Sequence, residues 1–342
     1  IEQRPVRRPA VKLPAPFIQL PLAFDAGALA AEIAALGEET WFPHPAGYPG
    51  NDYLPLVSAG GVLTGESPTG PMAPTELLLR SPYLMQVMES FGAVWGRSRL
   101  MRLEGNAEVT PHADLGYYWR DRLRVHVPIV TFPEVRFRCG PAEINMAAGE
   151  AWVFDTWLPH LVSNPTGQSR IHLVADTVGG ARFWDLFQGG KPHDRSLPGW
   201  SPQPVAPRSG PVELEYEQLN APIVMSPWEV RDHIQFLMRE AQPGPTLQQI
   251  GAVLTPFHRV WRSLWARYGE SPEGEARYRQ ALNVVTAELR DAGAEQLRLV
   301  NGASFMTAFS GLVINPALAA LAPEILTEDR GSGATAAPGR LN

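Results

Sequence analysis

Two runs decide the fold: Arg124-Val125-His126-Val127-Pro128-Ile129 and Arg170-Ile171-His172-Leu173-Val174-Ala175. In each, alternation with a period of two puts an arginine and a histidine on one face and branched apolar residues on the other. One such run reads as an ordinary amphipathic strand with its polar side in water. Two with the same Arg-x-His order point instead to a shared polar cavity. Guanidinium is the side chain best shaped to grip a carboxylate through paired hydrogen bonds, so the cavity suits a carboxylate ligand.

Outward from these runs, from about Arg97 to Thr177, short alternating segments are separated by Gly, Pro and Asn. Strands are predicted near 98–104, 107–112, 123–131, 134–138, 143–147, 151–155, 160–163 and 170–177. About eight strands in so short a span suit a double-stranded jelly roll better than an open sheet. Upstream, residues 1–22 read as an extended arm. A helix is expected after Asp25, whose carboxylate can cap free amides, and another after Ser81-Pro82. The Pro- and Gly-rich stretch Trp41 to Pro74 reads as irregular. The fold class expected is mainly β with α: a double-stranded β-helix (jelly roll, cupin-like) core over 23–187, N-terminal helices, and a helical C-terminal region. Residues 188–224, rich in proline, read as a linker or strap. Helices are expected over 225–327, starting at the capping-box patterns Ser226-Pro227-Trp228-Glu229 and Thr246-Leu247-Gln248-Gln249 and again near Ser271-Pro272. Leu254, Phe257, Trp261, Leu264, Trp265 and Tyr268 share one helical face, read as core or interface packing. The tail 328–342 reads as disordered.

At 342 residues with 44% hydrophobic content the chain can fill its own core. The single cysteine, Cys139, cannot form an internal disulfide, so a reducing cytoplasm is the plain reading. A net charge of −6 without a basic block gives no footprint for nucleic acid. No apolar run approaches the roughly 20 residues of a membrane span, and the opening Ile1-Glu2-Gln3-Arg4-Pro5 lacks the apolar core of a signal peptide.

Four of the eight histidines, His112, His126, His160 and His172, fall inside the β region. His112-Ala113-Asp114 is the informative pair, because residues i and i+2 on a strand project to one side and can grip one cation. A third ligand from a distant strand completes the two-histidine, one-carboxylate face used by non-haem iron. Alone, His-x-Asp is a weak motif.

The pieces taken together resemble the aspartyl/asparaginyl β-hydroxylase family. The resemblance rests on Thr110-Pro111-His112-Ala113-Asp114, Arg124 to Ile129, Met146-Ala147-Ala148-Gly149-Glu150-Ala151-Trp152-Val153-Phe154-Asp155, His160-Leu161-Val162-Ser163-Asn164 and Arg170 to Asp176, in that order, over roughly 97–180. It implies a jelly-roll oxygenase with iron(II) held by His112, Asp114 and His160, and with 2-oxoglutarate and dioxygen as co-substrates. It also implies that Arg170 pairs with the far carboxylate of 2-oxoglutarate, while Arg124 and His126 approach the end nearest the metal. His172 rivals His160, since Arg182 lies ten residues past it as Arg170 does past His160. The family match on both sides of His160 favours His160 and leaves His172 as a co-substrate contact.

Tyr117, Tyr118, Trp119, Arg120 and Arg122 lie in the insertion after the metal pair, where loops at a barrel mouth carry selectivity. They are candidate substrate contacts. The activity implied is hydroxylation of an unactivated carbon, the β-carbon, of an amino acid, free or in a peptide, with release of succinate and CO2. The alternative is a cupin-like metal-binding protein without oxygenase activity, which would not need Arg170 with Arg124. The C-terminal helices offer a surface for a homodimer, a lid or substrate recognition.

Overall fold

In the computed structural model, which describes residues 13–64 and 67–321, the chain divides into two compact units. The first comprises residues up to Asp114 and Asp121–Asn220; the second comprises Leu115–Arg120 and the chain from Ala221 onward. The first unit runs β1 (Phe17–Phe24), α1 (Ala26–Ala34), β2 (Phe42–Pro43), β3 (Asn51–Ala59), β4 (Met72–Pro74), α2 (Glu76–Leu79), α3 (Pro82–Ser90), β5 (Val94–Leu103) and β6 (Ala107–His112). The short helix α4 (Tyr117–Arg120) falls to the second unit. The first then resumes with β7 (Leu123–Val130), β8 (Arg136–Cys139), β9 (Ala142–Ile144), β10 (Glu150–Phe154), β11 (His160–Asn164), β12 (Arg170–Gly179), α5 (Ala181–Gln188), β13 (Lys191–Pro192), β14 (Gln203–Val205) and β15 (Glu215–Tyr216).

These strands form the expected jelly roll. The large sheet has the order β13-β1-β10-β7-β12-β5-β3-β2, and a four-stranded sheet has the order β6-β11-β8-β9. The two Arg-x-His strands are neighbours, with Val174 opposite His126 and Asp176 opposite Arg124. Alternation along them sorts two cores. Val125, Val127, Leu173 and Ala175 join Leu20, Leu54, Leu100 and Val153 beneath α1 and α3, while Phe17, Phe137, Trp152 and Phe154 pack on the other face, between the sheets. Phe137 and Phe154 are 4.7 Å apart, and Phe154 meets His160 edge-on at 4.9 Å. The polar residues of those strands face this second core, which is how they come to surround the site.

Asp25 caps α1 by accepting from the Ala28 amide at 2.9 Å, as its position predicts. Three expectations need correction. The stretch Trp41–Pro74 is not irregular, since β3 alone spans nine residues and pairs with β2, β4 and β5. Pro55 hides it; lacking an amide hydrogen, it sits where the pairing with β5 slips between Pro55 and Val57. The extended arm is, from Phe17 on, a strand paired with β10, β13 and β14; residues 1–12 lie outside the described part of the chain, as does the tail 328–342. Ser81 precedes α3 but does not cap it, because its hydroxyl donates back to Leu77 O. The proline-rich stretch 188–224 straps the sheet through β13, β14 and β15, the last two parallel to β1 and β5.

The second unit carries α6 (Pro227–Glu240), α7 (Pro245–Tyr268), α8 (Glu275–Asp291) and α9 (Phe305–Phe309). Ser226 accepts from the Glu229 amide at the start of α6, but α7 begins one residue before Thr246, with Gly244 at its cap. Ser271 opens a 3-10 turn that leads into α8. Trp261 anchors the core, its ring 4.7 Å from Tyr278 and its indole N–H on Met225 O at 2.8 Å. Leu254, Phe257 and Trp261 are buried, whereas Leu264, Trp265 and Tyr268 are half-buried. No helix among the described residues is long and apolar enough to cross a membrane.

Candidate metal and co-substrate site

His112 ends β6 and His160 opens β11, and these positions face each other across the small sheet. Their rings lie 4.2 Å apart between centroids. Asp114, two residues on, brings a carboxylate oxygen so that one ligand atom from each residue lies within 4.8 Å of the others. His112 Nδ1 is 2.8 Å from Thr110 O and His160 Nδ1 is 3.0 Å from Leu158 O. A carbonyl can only accept, so both Nδ1 atoms carry the hydrogen, which leaves Nε2 of each ring as the nitrogen placed to meet a cation. Burial, with the neighbouring His112, holds His160 neutral, its pKa down at about 3 despite the opposing pull of Asp114. Burial alone would raise the Asp114 carboxyl, but Arg124, with His160, His112 and Arg97, outweighs it and keeps the group below the usual range. Two imidazoles and a carboxylate are the donor set divalent iron takes.

Arg124 holds the carboxylate in place. Its Nη1 donates to Asp114 Oδ2 at 3.2 Å and its Nε to Asp176 Oδ1 at 2.9 Å. Asp155 instead organises the turn before His160, accepting from the Trp157 amide and from Leu13.

Deeper between the sheets lie Arg170, His172 and His126, all at most 5% exposed. Arg170 Nη2 is 3.0 Å from His172 Nδ1. Arg170 Nε, His172 Nε2 and His126 Nδ1 are buried with no hydrogen-bond partner. Burial lowers Arg170 to about 9, and burial together with Arg170 lowers both histidines well below their ordinary value. A buried cation whose polar neighbours are neutral histidines costs folding energy unless an anion joins it.

Of the insertion residues, Arg122 pairs with buried Glu217 at 2.8 Å. Arg120 is 1% exposed, 3.3 Å from Asp232 and 4.4 Å over the Phe236 ring, and Tyr117 donates to Glu229 at 2.6 Å. Tyr118 is buried and packs edge-on against Trp119 at 4.6 Å. These side chains are committed to packing and ion pairs. Sequence reasoning passed over Arg97, Arg99 and His44: burial, with Arg99 and Arg97, lowers His44 to about 4, and Arg97 is one of the charges that lower Asp114. The signal was Arg97-Ser98-Arg99, a third two-residue repeat of polar groups on a strand, cut short by starting that strand at 98.

The family model for aspartyl/asparaginyl beta-hydroxylase matches residues 70–179, a segment that includes His112, Asp114, Arg124, His126, His160, Arg170 and His172. Over that segment the chain is similar to the aspartyl/asparaginyl β-hydroxylase family. The chain is a 2-oxoglutarate-dependent dioxygenase, with iron(II) and 2-oxoglutarate as its cofactors and dioxygen as co-substrate. Solved structures similar to this oxygenase include a 2OG-Fe(II) oxygenase family oxidoreductase from Burkholderia pseudomallei, 19% identical, covering 49% of this chain and 87% of that one at a TM-score of 0.33. HygX from Streptomyces hygroscopicus, with nickel and 2-oxoglutarate bound, is 12% identical over 49% of this chain and 84% of that one, TM-score 0.33. A Pseudomonas putida prolyl-4-hydroxylase is 14% identical over 48% and 92%, TM-score 0.33. No curated protein matched the chain.

Proposed function

We infer that this oxygenase holds iron(II) through His112, Asp114 and His160 and hydroxylates an unactivated carbon, the β-carbon, of an amino acid, free or within a peptide. The observation that carries the site assignment is the unpartnered Nε of Arg170 beside the unpartnered nitrogens of His172 and His126. Such a pocket calls for a carboxylate, and 2-oxoglutarate has one at each end. Arg170 and His172 take the far carboxylate, and His126 stands nearer the metal. Arg124 fixes Asp114 so that one carboxylate oxygen stays tied while the other faces the cation. Bound iron, with 2-oxoglutarate and dioxygen, supplies the oxidising power that replaces a C–H hydrogen by hydroxyl as succinate and CO2 leave. The protein's residues hold the reactants in register and keep water out. Arg120 and Arg122, each paired with a carboxylate, anchor the insertion whose aromatic residues Tyr117, Tyr118 and Trp119 are the candidate substrate contacts.

Anaerobic titration tests the assignment. His160→Ala should lose iron binding, whereas Arg170→Ala should keep the metal and weaken 2-oxoglutarate roughly tenfold or more, the loss expected when one partner of a buried charge pair is removed. Wild-type metal affinity in His160→Ala, or unchanged 2-oxoglutarate affinity in Arg170→Ala, would overturn it.

A further inference from the structure

Thr131 stands just past the end of β7, and its hydroxyl is one of the buried polar atoms without a partner. Among the described residues nothing bonds to its Oγ1, which is also closed to solvent. A hydroxyl in such a place ordinarily finds a backbone carbonyl or water, so one left bare inside the fold calls for an explanation. Strand pairing says where it sits. Ile171 of β12 is opposite Val130 of β7, and both pack against the core beneath α1 and α3. Next along each chain come Arg170 and Thr131. In an antiparallel pair such neighbours continue side by side, their Cα atoms roughly 5 Å apart.

Alternation turns this next pair to the other face, toward the second core between the sheets. Leu103, opposite Arg170 on β5, belongs to that core, and Phe132, the residue after Thr131, packs against it. His172, two residues along β12 from Arg170, shares the face. Arg170 Nη2 can only donate, so His172 Nδ1 accepts from it at 3.0 Å and His172 Nε2 carries the hydrogen. Arg170 Nε and His172 Nε2 are therefore both donors, and both lack a partner. The Thr131 hydroxyl, which can turn its hydrogen toward them or away, adds a third donor at the same buried end of the sandwich.

We propose that Thr131 is a specificity-determining residue for the co-substrate, its hydroxyl donating to the far carboxylate beside Arg170 and His172. This rests on the co-substrate reading given above and adds to it a residue from outside the two Arg-x-His runs. A carboxylate offers roughly four acceptor positions, so it can take all three donors at once. An uncharged terminus cannot, and its arrival would leave the guanidinium buried without an anion. Thr131 also changes how the carboxylate is held. Past it the chain crosses to β8, which pairs with the strand carrying His160, so the anion is gripped both by the large sheet and by the start of that crossing.

Calorimetric titration of the full chain loaded with nickel(II) tests this without turnover. The probes are 2-oxoglutarate and 2-oxopentanoate, which has the same carbon chain but no far carboxylate. Thr131→Val keeps the branched shape and removes the hydroxyl; it should bind 2-oxoglutarate roughly tenfold or more weakly, while its affinities for 2-oxopentanoate and nickel change by less than about twofold. Thr131→Ser, which keeps the donor, should stay within about threefold of wild type for 2-oxoglutarate. Equal losses for both oxo acids in the valine variant would mean that it disturbs packing, and would overturn the proposal. A full preference for 2-oxoglutarate surviving in Thr131→Val would remove Thr131 from the pocket and leave Arg170 and His172 in place. Failure of the wild-type protein itself to prefer 2-oxoglutarate over 2-oxopentanoate would instead sink the co-substrate reading, and Thr131 with it.

Discussion

Arg124 shows how much one side chain can settle. It donates to Asp114 and Asp176 at once, so removing it would leave two carboxylates without their shared cation. Since Arg124 is the largest influence holding the Asp114 carboxyl down, its loss should raise that pKa. Arg124→Gln should therefore bind metal about tenfold to a hundredfold more weakly, with the deficit widening as pH falls, because protons then compete for Asp114. Metal affinity measured at two pH values checks this; an unchanged metal constant with weakened 2-oxoglutarate would return Arg124 to the co-substrate. The residue types were legible in the sequence because Arg-x-His recurs. Which carboxylates Arg124 would meet was not, since Asp176 becomes its neighbour only through strand pairing. The ion pairs of the insertion were hidden for a related reason: Asp232 and Glu217, which meet Arg120 and Arg122, lie about a hundred residues downstream.

At the scale of elements, the strands carrying the candidate site residues were readable because alternation survives in them, whereas β3 was obscured by a proline that a slipped register accommodates. The turn before β10 ties three of these strands together. Gly149, at φ +82°, donates its amide to Pro128 O and accepts from the Phe24 amide, both at 2.8 Å. A Cβ there would sit 2.3 Å from Phe24 O, a backbone atom that cannot swing aside as a side chain could. Gly149→Ala should cost roughly 2–4 kcal/mol, from strain in the left-handed region plus the clash. Chemical denaturation would report it, and a loss below about 0.5 kcal/mol would mean the turn yields.

For the whole molecule, buried histidines set the acid limit. His126, His160, His172 and His233 are all nearly inaccessible, and burial lowers each, His160 and His233 to about 3. They stay neutral in the folded chain while an unfolded histidine takes a proton near 6.5. Stability is thus fully present above that value and lost as pH falls below it, at about 1.4 kcal/mol per pH unit for each histidine until its folded pKa is reached. The melting temperature of metal-free protein should drop steeply between pH 7 and 5; a flat profile would contradict the neutral assignment. Chain connectivity adds a consequence of another kind. Because Leu115–Arg120 groups with the helical unit, the boundary between the units is crossed three times, at 114/115, 120/121 and 220/221. A gene fragment ending at Asn220 is therefore not a domain but a jelly roll with a hole in its wiring. It would carry Tyr117 and Arg120 without Glu229, Asp232 and Phe236, their partners in the intact chain. The six residues cut adrift would be those directly after Asp114, so adding or removing the helices by fusion at one end would also disturb the sequence next to Asp114.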